Sequence, residues 1–320
     1  MIPTAKQLFL PADSACPETP TVRDEMEKKF FGFIRLRNGV SKTTEIHRMA
    51  DVDRAVIAVC ARVGLASTSV LDVAVSSGIS TCEWLESLQE AGFHPEMTAT
   101  DLCMHAYLVR LFPGCDALVD REGYPLQFDF CGIALRPWSP RRYYILGNYF
   151  WTSCYRALFA RIADRLGLFE RLRALHGHAP APDDPVITAK VQLVTRRLRN
   201  HKDIELLDDD IFQPTSASLL RRFDVVRAAN ILNLDYFSAQ QLREGVAHLR
   251  ERLTGPGAFL VIVRTEHDGF NHGSLFRLNE NRSFSLLQRV GRGSEIEDMV
   301  LTLSAAPAVP AMPAERWCAS

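Results

Sequence analysis

Val70-Leu-Asp-Val-Ala-Val-Ser-Ser-Gly-Ile-Ser-Thr81 passes from an apolar, β-branched run into a cluster of small residues and then a polar start. The run suits a strand buried on both faces of a parallel sheet. Ala74, Ser76, Ser77 and Gly78 let a backbone turn approach a ligand closely, since none carries a bulky side chain. A helix is expected next. Ser80 and Glu83 have capping-box spacing, and Trp84, Leu85 and Leu88 supply its apolar stripe. Strand, small-residue turn and helix open a nucleotide-type α/β fold, with the ligand at the helix N-terminus.

Moving downstream, Glu96 to Asp101 reads as a second strand that ends in an acid. Asp101 lies 23 positions after Gly78, near the roughly 20-residue offset at which an acid reaches ribose hydroxyls in such folds. Its competing reading is an ordinary helix cap. The alternation resumes at Val186, with an apolar element at Lys190 to Val194 and a basic helix face from Arg196 to Lys202. Ile204 to Leu207 is a short strand running into Asp208-Asp209-Asp210, and Phe223 to Ala229 is a buried strand running into Asn230-Ile-Leu-Asn233. Ser238 and Gln241 repeat the capping-box spacing before a helix with Leu242, Val246, Leu249 and Leu253 on one face. Gly255-Pro-Gly257 stops that helix, and Ala258 to Val263 is the next strand. Glu266 to Ser274 is expected as a polar loop, and Phe284 to Val290 with Ile296 to Leu303 as a terminal antiparallel pair.

Two helices precede the opening strand. The first, Thr21 to Phe33, presents Phe30, Phe31 and Phe33; the second, capped by Thr44, runs to about Gly64 on Ile46, Met49, Val52, Val56, Val59 and Val63. Arg35 and Arg37 between them meet an anion or form a solvated basic loop. From Cys103 to Pro185 the strand–helix alternation breaks. Asp120-Arg-Glu-Gly123 marks a hairpin turn, and Tyr143 to Leu175 reads as long helix, aromatic in its first half. That helix is a lid for an apolar or aromatic substrate, a piece packed on the core, or a membrane-surface helix. The expected divisions are therefore an arm and helical cap over 1–66, an α/β domain over 67–304 with 103–185 inserted, and a tail over 305–320.

A length of 320 residues suits one large domain with added segments, and 47% apolar residues support a substantial core. A net charge of −1 gives no electrostatic reason to expect nucleic acid. The first residues lack a basic segment followed by an apolar run, and no stretch of about 18 apolar residues occurs. The expectation is a cytoplasmic protein with no membrane span. Eight cysteines without a CxxC pair argue for reduced, mostly buried thiols, and the histidine pairs His176/His178 and His267/His272 lack a third ligand nearby. No metal is expected.

This succession resembles the class I S-adenosylmethionine-dependent methyltransferases over about Val70 to Asp101 and Ile204 to Leu303. Their strand-one motif, Asp-x-Gly-x-Gly-x-Gly, stands here as Asp72-Val-Ala74-Val-Ser76-Ser77-Gly78, with only the last glycine kept. A narrower likeness, in Asp210-Ile211-Phe212 and in Asn230 to Phe237, is to the chemotaxis-receptor glutamate methyltransferases, whose β-subdomain is not evident. The resemblance implies a Rossmann-like, doubly wound, mostly parallel seven-stranded sheet and S-adenosyl-L-methionine as cofactor. It places that cofactor on Asp72, Ala74, Ser76, Ser77, Gly78, Asp101 with Leu102, Asp210 with Ile211, and Ala229 with Asn230. Asp101 would accept both ribose hydroxyls and Asp210 the adenine amino group. Ala74 and Ser76 fit where glycine is usual if φ stays negative there.

Methyl transfer from a sulfonium needs mainly positioning, and a base only when the nucleophile must lose a proton. The expected base is His267, then Glu266 or His272, with Asn230 and Asn233 orienting the nucleophile. A small-molecule acceptor, apolar or aromatic, is the expected partner. The competing functions are a non-catalytic protein that keeps the cofactor fold and, behind it, a nicotinamide-dependent dehydrogenase. The sequence does not specify the oligomeric state.

Overall fold

The computed structural model describes residues 1–10, 20–37, 39, 41–43, 45–65, 68–137 and 146–303. In chain order the elements begin with α1 Ala5–Phe9, α2 Pro20–Phe33, α3 Ala50–Val63, β1 Ser69–Val73, α4 Ile79–Glu90 and β2 Glu96–Asp101. They continue with β3 His105–Phe112, β4 Cys115–Val119, β5 Pro125–Phe130, β6 Ile133–Leu135, α5 Leu146–Arg165, α6 Leu168–Ala174 and β7 Ile187–Gln192. The last are α7 Arg196–Arg199, β8 Ile204–Asp208, β9 Val225–Ala229, α8 Ala239–Arg252, β10 Phe259–Thr265, β11 Asn271–Leu278, β12 Phe284–Val290 and α9 Glu297–Leu301. The fold is mixed α/β, with parallel strands and a separate antiparallel sheet. Thr44, residues 138–145, among them the expected start of the long helix at Tyr143, and the expected tail beyond 303 lie outside the described residues. Contact within the chain defines two compact units, one of Met1–Ala50, Ala74–Ser87 and Met97–Asp210, the other of Asp51–Val73, Leu88–Glu96 and Ile211 onward.

In the second unit β1, β9 and β10 run parallel, with Val225 opposite both Val70 and Phe259. β11 pairs antiparallel with β10, and β12 with β11. The expected capping box of α8 forms, Ser238 accepting from Gln241 N–H while the Gln241 side chain takes the Ser238 N–H. Leu242, Val246, Leu249 and Leu253 of that helix are fully buried, each contributing about 1.5–3 kcal/mol. α3 starts at Ala50, five residues later than a cap at Thr44 implied, so Ile46 is exposed while Val52, Val56 and Val59 are buried.

The terminal antiparallel pair exists, but with different members. β11 begins inside the expected polar loop, at Asn271, because Asp268-Gly269 turns the chain directly after β10, with Gly269 at φ 83° and Glu266 N–H bonded to Phe270 C=O at 2.9 Å. The segment expected as the last strand is instead the short helix α9. Ile296 and Val300 are buried at helical spacing, and the buried Glu297 accepts from Arg289 Nε at 3.0 Å and from the Ser274 hydroxyl.

In the first unit β2 and β8 pair in parallel, from Met97 opposite Ile204 to Asp101 opposite Asp208. The inserted segment corrects the expectation of a helical insertion. It builds a five-stranded antiparallel sheet in the order β6-β5-β4-β3-β7, with the expected turn at Asp120–Gly123 joining β4 to β5. One face buries Ala106, Leu108, Leu118 and Leu126 against Phe30 and Phe31 of α2 and Ile34 just after it. The other buries Tyr107, Val109, Val119 and Phe128 against Phe159 and Ala163 of α5 and Leu168 and Leu172 of α6. Helices on both faces leave no apolar–polar alternation to mark the strands. β7 belongs to this sheet as well, so Val186 does not resume the strand–helix alternation.

Among the described residues no helix is long and apolar enough to cross a membrane. Cys60, Cys82, Cys103 and Cys115 are buried thiols, and Cys131 and Cys154 are exposed. Burial pushes the Cys60 thiol up to about 11 and that of Cys103 to about 12, which leaves both unreactive at neutral pH.

Candidate functional site

The turn after β1 is built from left-handed backbone at alternate residues. Ala74, Ser76 and Gly78 have φ of 57°, 58° and 85°. The condition that φ stay negative at Ala74 and Ser76 therefore fails, and an L-residue in this region costs about 1–2 kcal/mol. The surroundings impose it: Val75 N–H bonds Thr100 C=O at 3.1 Å, Gly78 N–H bonds Val75 C=O at 2.9 Å, and Ser77 C=O accepts Thr195 N–H at 2.9 Å. The Ser77 hydroxyl is buried and has no hydrogen-bond partner among the described residues. Gly78 has no room for a side chain, since a Cβ there would overlap Leu198 Cδ2 and lie 3.1 Å from its Cβ. The Ser80–Glu83 capping box does not form. α4 begins at Ile79, and the Glu83 carboxylate accepts His47 N–H at 2.9 and 3.0 Å.

Asp101 closes the turn, its Oδ2 accepting Ser76 N–H at 2.8 Å. Its Oδ1 is fully engaged by Cys103 N–H at 3.0 Å and by Lys42 Nζ at 2.8 Å. Lys42 is buried and also donates to Cys103 C=O at 2.7 Å. Only Oδ2 keeps an unused lone pair, so Asp101 has room for one hydroxyl and not for both of a ribose. Leu102 beside it is exposed, and Asp210 is half-buried. No periodic signal in the sequence marks Lys42.

Opposite Asp101 in the β2–β8 register, Asp208 holds a second array that sequence reasoning did not single out. Its Oδ1 accepts Met104 N–H at 2.8 Å and His105 N–H at 3.1 Å, and its Oδ2 takes the His105 Nδ1 proton. Burial alone raises the Asp208 pKa, but the His105 ring and these backbone donors outweigh it and hold the carboxyl below its usual range. A depressed folded-state pKa stabilises above the unfolded value, about 3.9, and that stability is lost as pH falls through the folded one. The difference in urea-unfolding free energy between the chain and Asp208→Asn is therefore expected to be constant above about pH 5 and to shrink below about pH 4. A difference that grows on acidification would contradict this array.

The remaining predicted residues lie in the second unit. Asp72 is not a free acid: Arg227 Nε and Nη2 hold its two oxygens at 2.9 and 2.7 Å, and Arg227 Nη1 holds Asp53 at 2.6 Å. Ile211 is buried, with its C=O accepting His248 Nδ1 at 3.0 Å, and Ala229 is half-buried at the end of β9. Asn230, at φ 60°, accepts Thr265 N–H at 2.7 Å, and the Thr265 hydroxyl bonds Asn271 Oδ1 at 2.7 Å. Asn233 is buried and accepts Tyr236 N–H at 3.2 Å.

His267 is exposed in the β10–β11 turn, while Glu266, Asp268 and His272 bring possible ligand atoms within 4.8 Å of one another. Glu266 also pairs with Arg292. His272 Nδ1 accepts Arg292 N–H at 2.9 Å, so the ring proton sits on Nε2, 3.9 Å from Asp268. A metal ion would need a lone pair at that nitrogen.

No family model matches this chain, and no curated protein matches it in sequence. Several of the solved structures that match it are methyltransferases by name. The CurJ carbon methyltransferase, in selenomethionine form, is 14% identical, over 69% of this chain and 35% of that one, at a TM-score of 0.33. The N-methyltransferase NodS from Bradyrhizobium japonicum, in complex with S-adenosyl-L-homocysteine, is 13% identical over 68% and 63%, at 0.30. A protein from Rhodobacter sphaeroides named for the zinc-dependent alcohol dehydrogenases is 12% identical over 69% and 48%, at 0.28. The chain spans less than two thirds of each of these proteins.

Proposed function

We propose that this chain is an S-adenosylmethionine-dependent methyltransferase acting on a small acceptor. The observation that carries the reading is the turn itself, where three left-handed residues in five are locked between a buried strand and a helix and tied to Asp101 through Ser76 N–H. Strain held in place by its surroundings is characteristic of ligand-binding turns. When bound, the sulfonium cofactor would supply the methyl group. The turn at Ala74–Gly78 would meet it through backbone, Asp101 Oδ2 would accept one ribose hydroxyl, and Asp210 would take the adenine amino group. Lys42 would balance the Asp101 charge. Of the aromatic half of the insertion, Tyr155 stacks edge-on with Phe128 at 5.8 Å, while Phe150 and Trp151 are exposed, 5.7 Å from each other.

Calorimetric titration with S-adenosylmethionine, S-adenosylhomocysteine and NAD tests the reading. Selective binding of the sulfonium pair is expected, weakened at least tenfold by Asp101→Asn, since a hydrogen bond to a charged group contributes about 1.5–3 kcal/mol. Binding of NAD alone would sink it. One observation favours a second reading, a non-catalytic protein with the cofactor fold: Lys42 occupies the oxygen a ribose diol would need. Under that reading the sulfonium pair binds through Asp101 Oδ2, and no methyl transfer occurs to any of a broad panel of acceptors.

A further inference from the structure

We propose that the cavity beside β3 in the first unit is a binding site for a small hydroxylated oxyanion. Arg121 and Arg173 would hold its carboxylate or phosphate, and His105, oriented by Asp208, would accept its hydroxyl proton in a hydrogen bond. The cavity measures about 440 Å³ and is lined by His105, Tyr107, Asp208, Arg121, Glu122 and Arg173, among others. A second cavity of about 420 Å³ shares Arg121, Glu122 and Arg173 with it and adds Arg37.

Charge and fixed geometry support the assignment. Glu122 is answered by Arg37, which also lies 3.5 Å from Asp120. Among the described residues neither Arg121 nor Arg173 has an ion pair, and both line the cavity. Guanidinium is the group best matched to a carboxylate or phosphate, through paired N–H donors. The turn that carries Arg121 is rigid. Asp120 Oδ1 accepts Glu122 and Tyr124 N–H at 2.9 and 2.8 Å, and Gly123, at φ 84°, packs so closely on Phe169 of α6 that a Cβ would lie 2.7 Å from the ring. That contact fixes the turn against the helix bearing Arg173.

The His105 ring is equally fixed. With its Nδ1 proton given to Asp208, the neutral ring presents Nε2 as a lone-pair acceptor. The Tyr107 hydroxyl is kept protonated by burial and donates to His178 C=O at 3.3 Å, so it does not compete for the ring. Arginines that bind an oxyanion, together with an acceptor nitrogen, select a hydroxy acid or a phosphorylated alcohol over either group alone. These residues all belong to one unit, and the site does not depend on the cofactor turn.

Glycerate and glycerol 3-phosphate differ in the oxyanion and separate carboxylate from phosphate recognition, with glycerol as the neutral control. Titration of the full chain by calorimetry and by ¹H–¹⁵N imidazole spectra should show one of the two anions bound at millimolar concentration or below, and glycerol not bound. The His105 Nε2 resonance should move with the same midpoint. Arg121→Gln with Arg173→Gln, both on the surface, should weaken binding at least tenfold, and His105→Asn should weaken it several-fold. Neither anion binding, affinity surviving in the double arginine variant, or a static His105 resonance during binding would each overturn the assignment.

Discussion

Gly78→Ala is expected to cost the protein about 2–5 kcal/mol, measured as the urea-unfolding free energy. Two independent penalties add. A Cβ at φ 85° meets the left-handed penalty of about 1–2 kcal/mol. The same atom overlaps the fully buried Leu198 side chain, and overpacking of this kind costs about 1–3 kcal/mol. A Leu198→Ala background separates the two. There the steric part disappears, and the cost of Gly78→Ala should fall to about 1–2 kcal/mol, the backbone part alone. The neighbours have the opposite sign. Ala74→Gly and Ser76→Gly release a side chain from φ near 58° and should each raise stability by roughly 0.5–1 kcal/mol, once the added flexibility of glycine is deducted. A neutral Gly78→Ala, or destabilisation at all three positions, would mean that the turn does not hold this backbone.

The opening stretch was legible because its signals are local: β-branched residues for a buried strand, small residues for a tight turn, and a helical stripe behind. Asp101, β8, β9 and the capped α8 follow from the same kind of signal. The antiparallel sheet was hidden by its own burial. Tyr107 and Val109 face one helical layer while Ala106 and Leu108 face the other, so the alternation that marks a half-exposed strand is absent. The hairpin after β10 did carry a signal in the turn dipeptide Asp268-Gly269, but the polar residues on both sides of it mask the strands it joins. The partners of the acids were not legible. Lys42 lies 59 positions from Asp101, and Arg227 lies 155 from Asp72, and no spacing rule reaches that far.

Arg227 carries the other large expected effect. Its guanidinium is fully buried between Asp72 of β1 and Asp53 of α3, and although burial opposes the charge, the two carboxylates hold it above even its ordinary range. Arg227→Met leaves two carboxylates without their counter-ion in a dry core. Breaking a buried pair this way costs about 3–5 kcal/mol, a large part of the roughly 5–15 kcal/mol that a domain has in total. Asp72→Asn should also lower stability while leaving the cofactor affinity of the folded protein unchanged, since both Asp72 oxygens face Arg227 and not a ligand. A large affinity loss in Asp72→Asn would return this residue to the cofactor site. The triple variant Asp53→Leu, Asp72→Val, Arg227→Met distinguishes stranded charge from lost packing. Replacing a whole buried ionic group with apolar side chains is often neutral or stabilising, so most of the single-variant loss should be recovered. A triple variant as unstable as Arg227→Met alone would show that the arginine acts through its shape and its bond geometry, and that the charges it balances contribute little.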